Sequence, residues 1–99
     1  MTIRLVNRGT QGELIVEGRL DSVTSPEADE IFRQTAERFD TVILNIADME
    51  YVSSAGLRVL KQLHIFMKKK NGTLLFKNPT KSVMDVFEMT GFVGLFTFI

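Results

Sequence analysis

The chain is short and balanced in composition, which limits what it can be. Its 99 residues suit one domain, and 44% hydrophobic with 24% charged residues is typical of a globular protein. The lack of cysteine excludes disulfides and thiolate metal sites, and one histidine excludes a histidine-based metal cage. The net charge of zero combines ten acids and five bases in residues 1–50 with two acids and seven bases in residues 51–99, so the halves carry −5 and +5.

No window of the sequence is typical of a signal peptide or a membrane span. Residues 1–9 lack the apolar stretch of about 7–15 residues that a signal peptide needs, and no window approaches the roughly 18 apolar residues of a span. We therefore expect a cytoplasmic protein with no direct membrane insertion.

The first half of the chain predicts two strands, a helix and a third strand. Residues 2–6 and 13–17 are rich in β-branched residues and flank a glycine-containing turn, which predicts a hairpin. Thr24-Ser25-Pro26 predicts a helix start capped by the serine, because apolar residues then recur at helical spacing. The continuous apolar run at 41–46 predicts a central strand covered on both faces.

The second half predicts two helices, each followed by a strand. We expect a helix at 54–70 that ends at Asn71-Gly72, where the glycine permits the left-handed backbone conformation of a helix cap. A strand at 73–76, a helix from Thr80 to Gly91 and an edge strand at 96–99 follow. Strands that alternate with helices through short connections imply parallel pairs with right-handed crossovers. The predicted fold class is α/β, with a mixed sheet of about four to five strands and helices packed on it, in the order β-β-α-β-α-β-α-β.

The stretch most informative for function is YVSSAGLRVL, from Tyr51 to Leu60, where Ser53 and Ser54 lie between the central strand and a helix. The first turn of a helix carries unpaired N–H groups and a partial positive charge, which favour an anion. A serine there is most often only an N-cap. The alternative is a serine that accepts a phosphate, and one serine can do both.

This stretch resembles the signature of STAS domains, specifically of the small anti-anti-sigma factors, or anti-sigma factor antagonists. Gly18-Arg19-Leu20-Asp21 resembles the family's G-x-L-D, Asp48 to Leu60 its main motif, and Asn78-Pro79 with Phe87 to Phe92 its closing loop and helix end. The resemblance implies a single STAS domain over 1–99 that uses no cofactor. Family members generally continue into another helix, so we expect the family's C-terminal helix to be missing here.

The resemblance also implies a phosphate-switched binding partner. Unphosphorylated protein would bind an anti-sigma factor and free a sigma factor, and the anti-sigma factor, acting as a serine kinase, would phosphorylate Ser54 and end the binding. Alignment on Gly56-Leu57 selects Ser54, but Ser53 replaces the family's usual acid and Ala55 its second hydroxyl, so Ser53 remains a competing acceptor. A phosphatase is left open as a second partner.

The second helix has one predicted core face and one predicted partner face. Val59, Leu60, Leu63, Phe66 and Met67 share the core stripe, and Arg58, Lys61 and an exposed Ile65 lie opposite. Gly56 is either a backbone necessity or a point where another surface approaches closely. The predicted partner-binding residues are Asp21, Ser53, Ser54, Gly56, Leu57, Arg58, Lys61 and Ile65. Of these, we expect the side chains of Leu57, Arg58, Lys61 and Ile65 to be free to touch a partner without supporting the core.

The sequence lacks the residues and motifs that enzymes and nucleic-acid-binding proteins need. His64 lies about 15 Å along the helix axis from Ser54 and cannot serve it as a base, and G-x-S-x-G, the P-loop and G-x-G-x-x-G are absent, so we expect no enzyme. Lys68-Lys69-Lys70 opposes the helix dipole, with no interleaved aromatic residues to indicate nucleic-acid binding. The alternative function is a STAS subunit of a lipid-type ABC membrane transport complex, acting as a structural clamp on the ATPase.

Overall fold

The computed structural model describes all 99 residues and contains five strands and three helices. In chain order they are β1 (Thr2–Arg8), β2 (Gln11–Leu20), α1 (Ser25–Arg38), β3 (Thr41–Val52), α2 (Ser54–Lys69), β4 (Thr73–Lys77), α3 (Lys81–Thr90), a 3-10 turn (Phe92–Gly94) and β5 (Thr97–Phe98). The predicted fold class and element order are confirmed. No helix is long and apolar enough to cross a membrane.

The five strands form one mixed sheet in the order β1-β2-β3-β4-β5. β1 is antiparallel to β2, and the other neighbours are parallel. β3 is therefore central and β5 lies at an edge, as predicted. β3 is twice the predicted length, because residues 48–52 continue to pair with residues 17–20 of β2, with one irregularity in register before this stretch and one within it.

The core lies on one face of the sheet. It takes alternate strand residues, such as Leu14 and Val16 of β2 and Leu44 of β3, and joins them to the buried residues of all three helices. Ile43 and Asn45 alternate with these residues and point to the opposite face, outside the core cluster. Ile43 is nevertheless only 8% exposed, so the prediction that this run is covered on both faces is confirmed at Ile43, whereas Asn45 is half-buried.

Two details of α2 also differ from the prediction. Phe66 is 37% exposed, although it shares a stripe with core residues. At the helix end the left-handed residue is Asn71, with φ 60°, and not Gly72. Gly72 is required for space instead, because a Cβ there would lie 2.9 Å from the carbonyl oxygen of Asp40.

Candidate phosphorylation and partner-binding site

The ends of β2 and β3 bring the two sequence motifs together. Leu20 and Val52 are register partners in parallel strands, so both strands end at the same edge of the sheet. The backbone N–H of Ser53 donates to the carbonyl oxygen of Leu20 at 2.9 Å. The loop after β2, which begins at Asp21, is therefore a neighbour of the first turn of α2.

The two serines at the start of α2 have different roles. Ser53 alone connects β3 to α2, is half-buried, and has an Oγ that accepts from the backbone N–H of Gly56 at 3.2 Å. It is thus the N-cap of α2. Ser54 is the first helical residue, is exposed, and its hydroxyl makes no hydrogen bond within the chain.

Gly56 is explained by packing inside the molecule. A Cβ at this position would lie 2.6 Å from the carbonyl oxygen of Leu20, 2.8 Å from Cγ of Leu20 and 3.0 Å from Cγ2 of Val52. Gly56 is buried as a result. The close approach observed at this glycine is to the ends of the protein's own strands, within the chain, and it holds the first turn of α2 against β2.

Asp21 organises the loop between β2 and α1. Its Oδ1 accepts from the backbone N–H groups of Val23 at 3.0 Å and Thr24 at 3.1 Å. The predicted cap of α1 is wrong: Thr24 occupies the N-cap position without a side-chain cap, and the Ser25 hydroxyl donates to the backbone oxygen of Asp21. The side chains of Asp21 and Ser25 therefore form hydrogen bonds within this loop.

The surroundings of Asp21 favour its ionised form. The hydrogen bond from the Thr24 backbone lowers the pKa of the Asp21 carboxyl, and the Val23 backbone, the Thr24 hydroxyl and the charge of Arg19 act in the same direction against a desolvation that raises it. Asp21 is consequently a carboxylate fixed in orientation beside the start of α2.

Arg19 and Tyr51 lie inside the two motifs and beside the predicted site, although they were not among the predicted site residues. Arg19 Nε lies 3.6 Å from Oδ2 of Asp21, and its guanidinium carbon lies 4.3 Å from the centre of the Tyr51 ring. Arg19 and Tyr51 are register partners on β2 and β3. The signal in the sequence is the two-residue spacing from Arg19 to Asp21, which puts both side chains on one side of the chain.

The outward face of α2 is largely as predicted. Arg58 and Lys61 are exposed, and Ile65 is 41% exposed. Leu57 is only 7% exposed and belongs to the core cluster, so the expectation that it is free of the core is wrong. It lies on the inner side of the helix with Leu60 and anchors the first turn.

An open depression of about 270 Å³ joins the two loops. Its walls include Ser22, Ser25 and Asp29 on one side and Ala55, Arg58 and Gln62 on the other. Asp29 is already bonded to Arg33 at 3.0 Å, whereas Arg58 takes part in none of the five ion pairs of the chain. The depression thus exposes the unpaired guanidinium of Arg58 between the starts of α1 and α2.

The titratable residues near the start of α2 do not form a cluster. No group of three histidine, cysteine, aspartate or glutamate residues could hold a metal ion. His64 lies on the far half of α2, where its ring centre is 5.9 Å from that of Phe96. Burial, followed by the charge of Lys68, lowers the pKa of His64. What the site offers is a free hydroxyl, a fixed carboxylate and a basic helix face.

Comparisons with known proteins agree with this geometry. The STAS domain model matches residues 4–99. The relative named "Putative anti-sigma factor antagonist BtrV", from Bordetella bronchiseptica, is 31% identical over 78 residues, which cover 75% of this chain and 67% of the relative. The chain belongs to the STAS domain family.

Solved structures with the same fold include other anti-sigma factor antagonists. SpoIIAA in its unphosphorylated form superposes with a TM-score of 0.84 at 16% identity, over 99% of this chain and 88% of SpoIIAA. An anti-sigma factor antagonist from Mycobacterium paratuberculosis gives 0.81 at 19% identity, over 98% of this chain and 83% of the other. The structure of Bacillus SpoIIAA is also known in its phosphorylated form.

Proposed function

We propose that this protein is an anti-sigma factor antagonist switched by phosphorylation of Ser54. Its unphosphorylated form binds an anti-sigma factor that is also a serine kinase, and so releases a sigma factor. Transfer of phosphate from ATP to the Ser54 hydroxyl ends the binding. The named relative and the fold shared with SpoIIAA support the class of function.

The difference between Ser53 and Ser54 carries the choice of acceptor. The Ser53 hydroxyl is half-buried and is engaged with the Gly56 N–H. The Ser54 hydroxyl is exposed and unbonded one residue later, so a kinase can reach it without breaking the cap. This contrast favours Ser54 over Ser53.

The charge of α2 supports an interface that a phosphate can disrupt. The helix contains no acidic residue, and Arg58 and Lys61 follow Ser54 on its exposed side. Such a face suits a partner with acidic groups. Because a phosphate adds about −1.5 to −2 charges at pH 7, it would repel those groups and would require desolvation at the interface.

Phosphorylation by the cognate kinase tests the acceptor. After incubation with ATP, peptide mass mapping should place the phosphate on Ser54, and Ser54→Ala should abolish it while the protein still binds. Phosphate on Ser53 alone, or on neither serine, would contradict the proposal.

Charge reversal tests the interface. Arg58→Glu should weaken binding to the anti-sigma factor about tenfold, because it places an acid against an acidic partner. The matched control is Arg4→Glu, the same charge change at an exposed residue on β1, which should leave calorimetric affinity unchanged. Full affinity in both Arg58→Glu and Ser54→Asp would move the interface elsewhere and would favour the transport-clamp alternative.

A further inference from the structure

Arg58 is an unpaired guanidinium one helical turn beyond the proposed phosphoacceptor. Ser54 and Arg58 are spaced i, i+4 on α2, so their Cβ atoms are roughly 5–6 Å apart on one face. Helical side chains lean toward the N-terminus of their helix, and Arg58 lines the depression together with Ala55 of the first turn, next to Ser54 in the chain.

No existing acid competes for this guanidinium. α2 itself has no acidic residue. The acids that face it from neighbouring elements already have partners, because Asp29 of α1 is bonded to Arg33 and Asp21 is bonded to Thr24 and lies beside Arg19. Lys61, seven residues from Ser54, lies about two turns away and is too far to share the same group.

From this arrangement we propose that Arg58 binds the phosphate of phosphorylated Ser54 within the same chain. The proposal rests on the proposed function, in which Ser54 is the acceptor. A guanidinium binds phosphate oxygens through paired N–H donors, so the contact is directional as well as electrostatic. Phosphorylation then acts twice on the partner surface, because it adds a dianion and also withdraws the cation that the partner would contact.

The test uses protein with phosphoserine installed at position 54 during synthesis, so that no kinase is needed. Titration followed by phosphorus NMR measures the pKa of the second phosphate ionisation. Arg58→Gln should raise that pKa by roughly 0.3 pH unit, since an i, i+4 ion pair favours the dianion by a few tenths of a kcal/mol. Lys69→Gln, which removes one positive charge at the far end of the same helix, should leave it unchanged.

The outcomes separate this proposal from the proposed function. An equal phosphate pKa in the parent and in Arg58→Gln would overturn the intramolecular contact, even if phosphorylation abolishes partner binding. Equal rises in Arg58→Gln and Lys69→Gln would also overturn it, because net charge alone would then explain the shift. A kinase that leaves Ser54 unmodified would instead overturn the proposed function and leave the NMR result intact.

Discussion

The starts of α1 and α2 are built at the same edge of the sheet but use their hydroxyls differently. At the start of α1, the Ser25 hydroxyl donates to the backbone oxygen of Asp21, and the Thr24 hydroxyl donates to the backbone carbonyl oxygen of Arg19 at 2.8 Å. Before α2, Ser53 alone caps the helix, and Ser54 keeps its hydroxyl free. The hydroxyls of Thr24 and Ser25 are thus used in folding, whereas α2 keeps one hydroxyl free, as the proposed phosphorylation requires.

The free Ser54 hydroxyl lies on a helical turn that other residues hold in place. Ser53 satisfies the Gly56 N–H, Gly56 packs on Leu20, and Leu57 is buried in the core. Ser54 is thus held on a fixed turn to which its side chain contributes no hydrogen bond. Substitutions can test whether the residues that hold this turn contribute to stability while Ser54 does not.

Gly56→Ala should produce the largest effect. The added Cβ would lie 2.6 Å from the Leu20 carbonyl oxygen, and overpacking of this kind costs about 1–3 kcal/mol. Alanine favours the helix by about 1 kcal/mol, so a net loss of stability in urea unfolding would show that the clash dominates. Gly94→Ala is the matched control, because nothing lies within 4 Å of its added Cβ. If Gly56→Ala is as stable as Gly94→Ala or more stable, the expectation that the clash dominates is wrong.

Single serine substitutions compare the two helix starts directly. Ser25→Ala should cost about 1 kcal/mol, because it removes a buried hydrogen bond. Ser53→Ala should also cost about 1 kcal/mol through loss of the cap. Ser54→Ala should stay within about 0.5 kcal/mol of the parent, as a surface change does. Urea unfolding of the three variants checks the order, and a Ser54→Ala loss as large as the other two would erase the distinction.

The fold was predictable because local signals agreed with the topology. Helical periodicity after Pro26, the apolar run of β3 and Gly91, with φ 80° at the end of α3, each correctly predicted an element or its end. The length of β3 could not be predicted from the local sequence pattern. Its last part, ADMEYV, carries two acids and becomes a strand only because it pairs with the end of β2.

The different roles of Ser53 and Ser54 follow from the pairing of the end of β3 with the end of β2. Since β3 continues to Val52, Ser53 is the cap and Ser54 is free. Spacing alone left both roles open for both residues. The burial of Leu57 was missed for a related reason, because the rotation of α2 on the sheet is set by the close contact of Gly56 with Leu20. Contacts between distant segments decide such details.

The last and smallest expected effect is a pH dependence confined to the start of α1. The Thr24 hydrogen bond and its companions lower the pKa of Asp21 below its ordinary value of 3.8, so the unfolded chain binds a proton at this residue more readily than the folded chain does. The stabilisation is therefore fully present above the ordinary pKa and is lost as pH falls through the lowered one. The start of α2 contains no acid and should show no such dependence.

Asp21→Asn isolates this contribution. The parent should unfold at higher urea concentration than the variant at neutral pH, and the difference should shrink toward zero as pH falls below the ordinary pKa of 3.8, because protonation removes the same charge that the substitution removes. The acids elsewhere titrate in both proteins and cancel in the difference. Ser54→Ala, compared with the parent over the same range, should give a difference that does not vary with pH. A parent-minus-variant difference for Asp21→Asn that is constant with pH would mean that the carboxylate charge does not hold the loop, and that the two helix starts differ only in their hydroxyls.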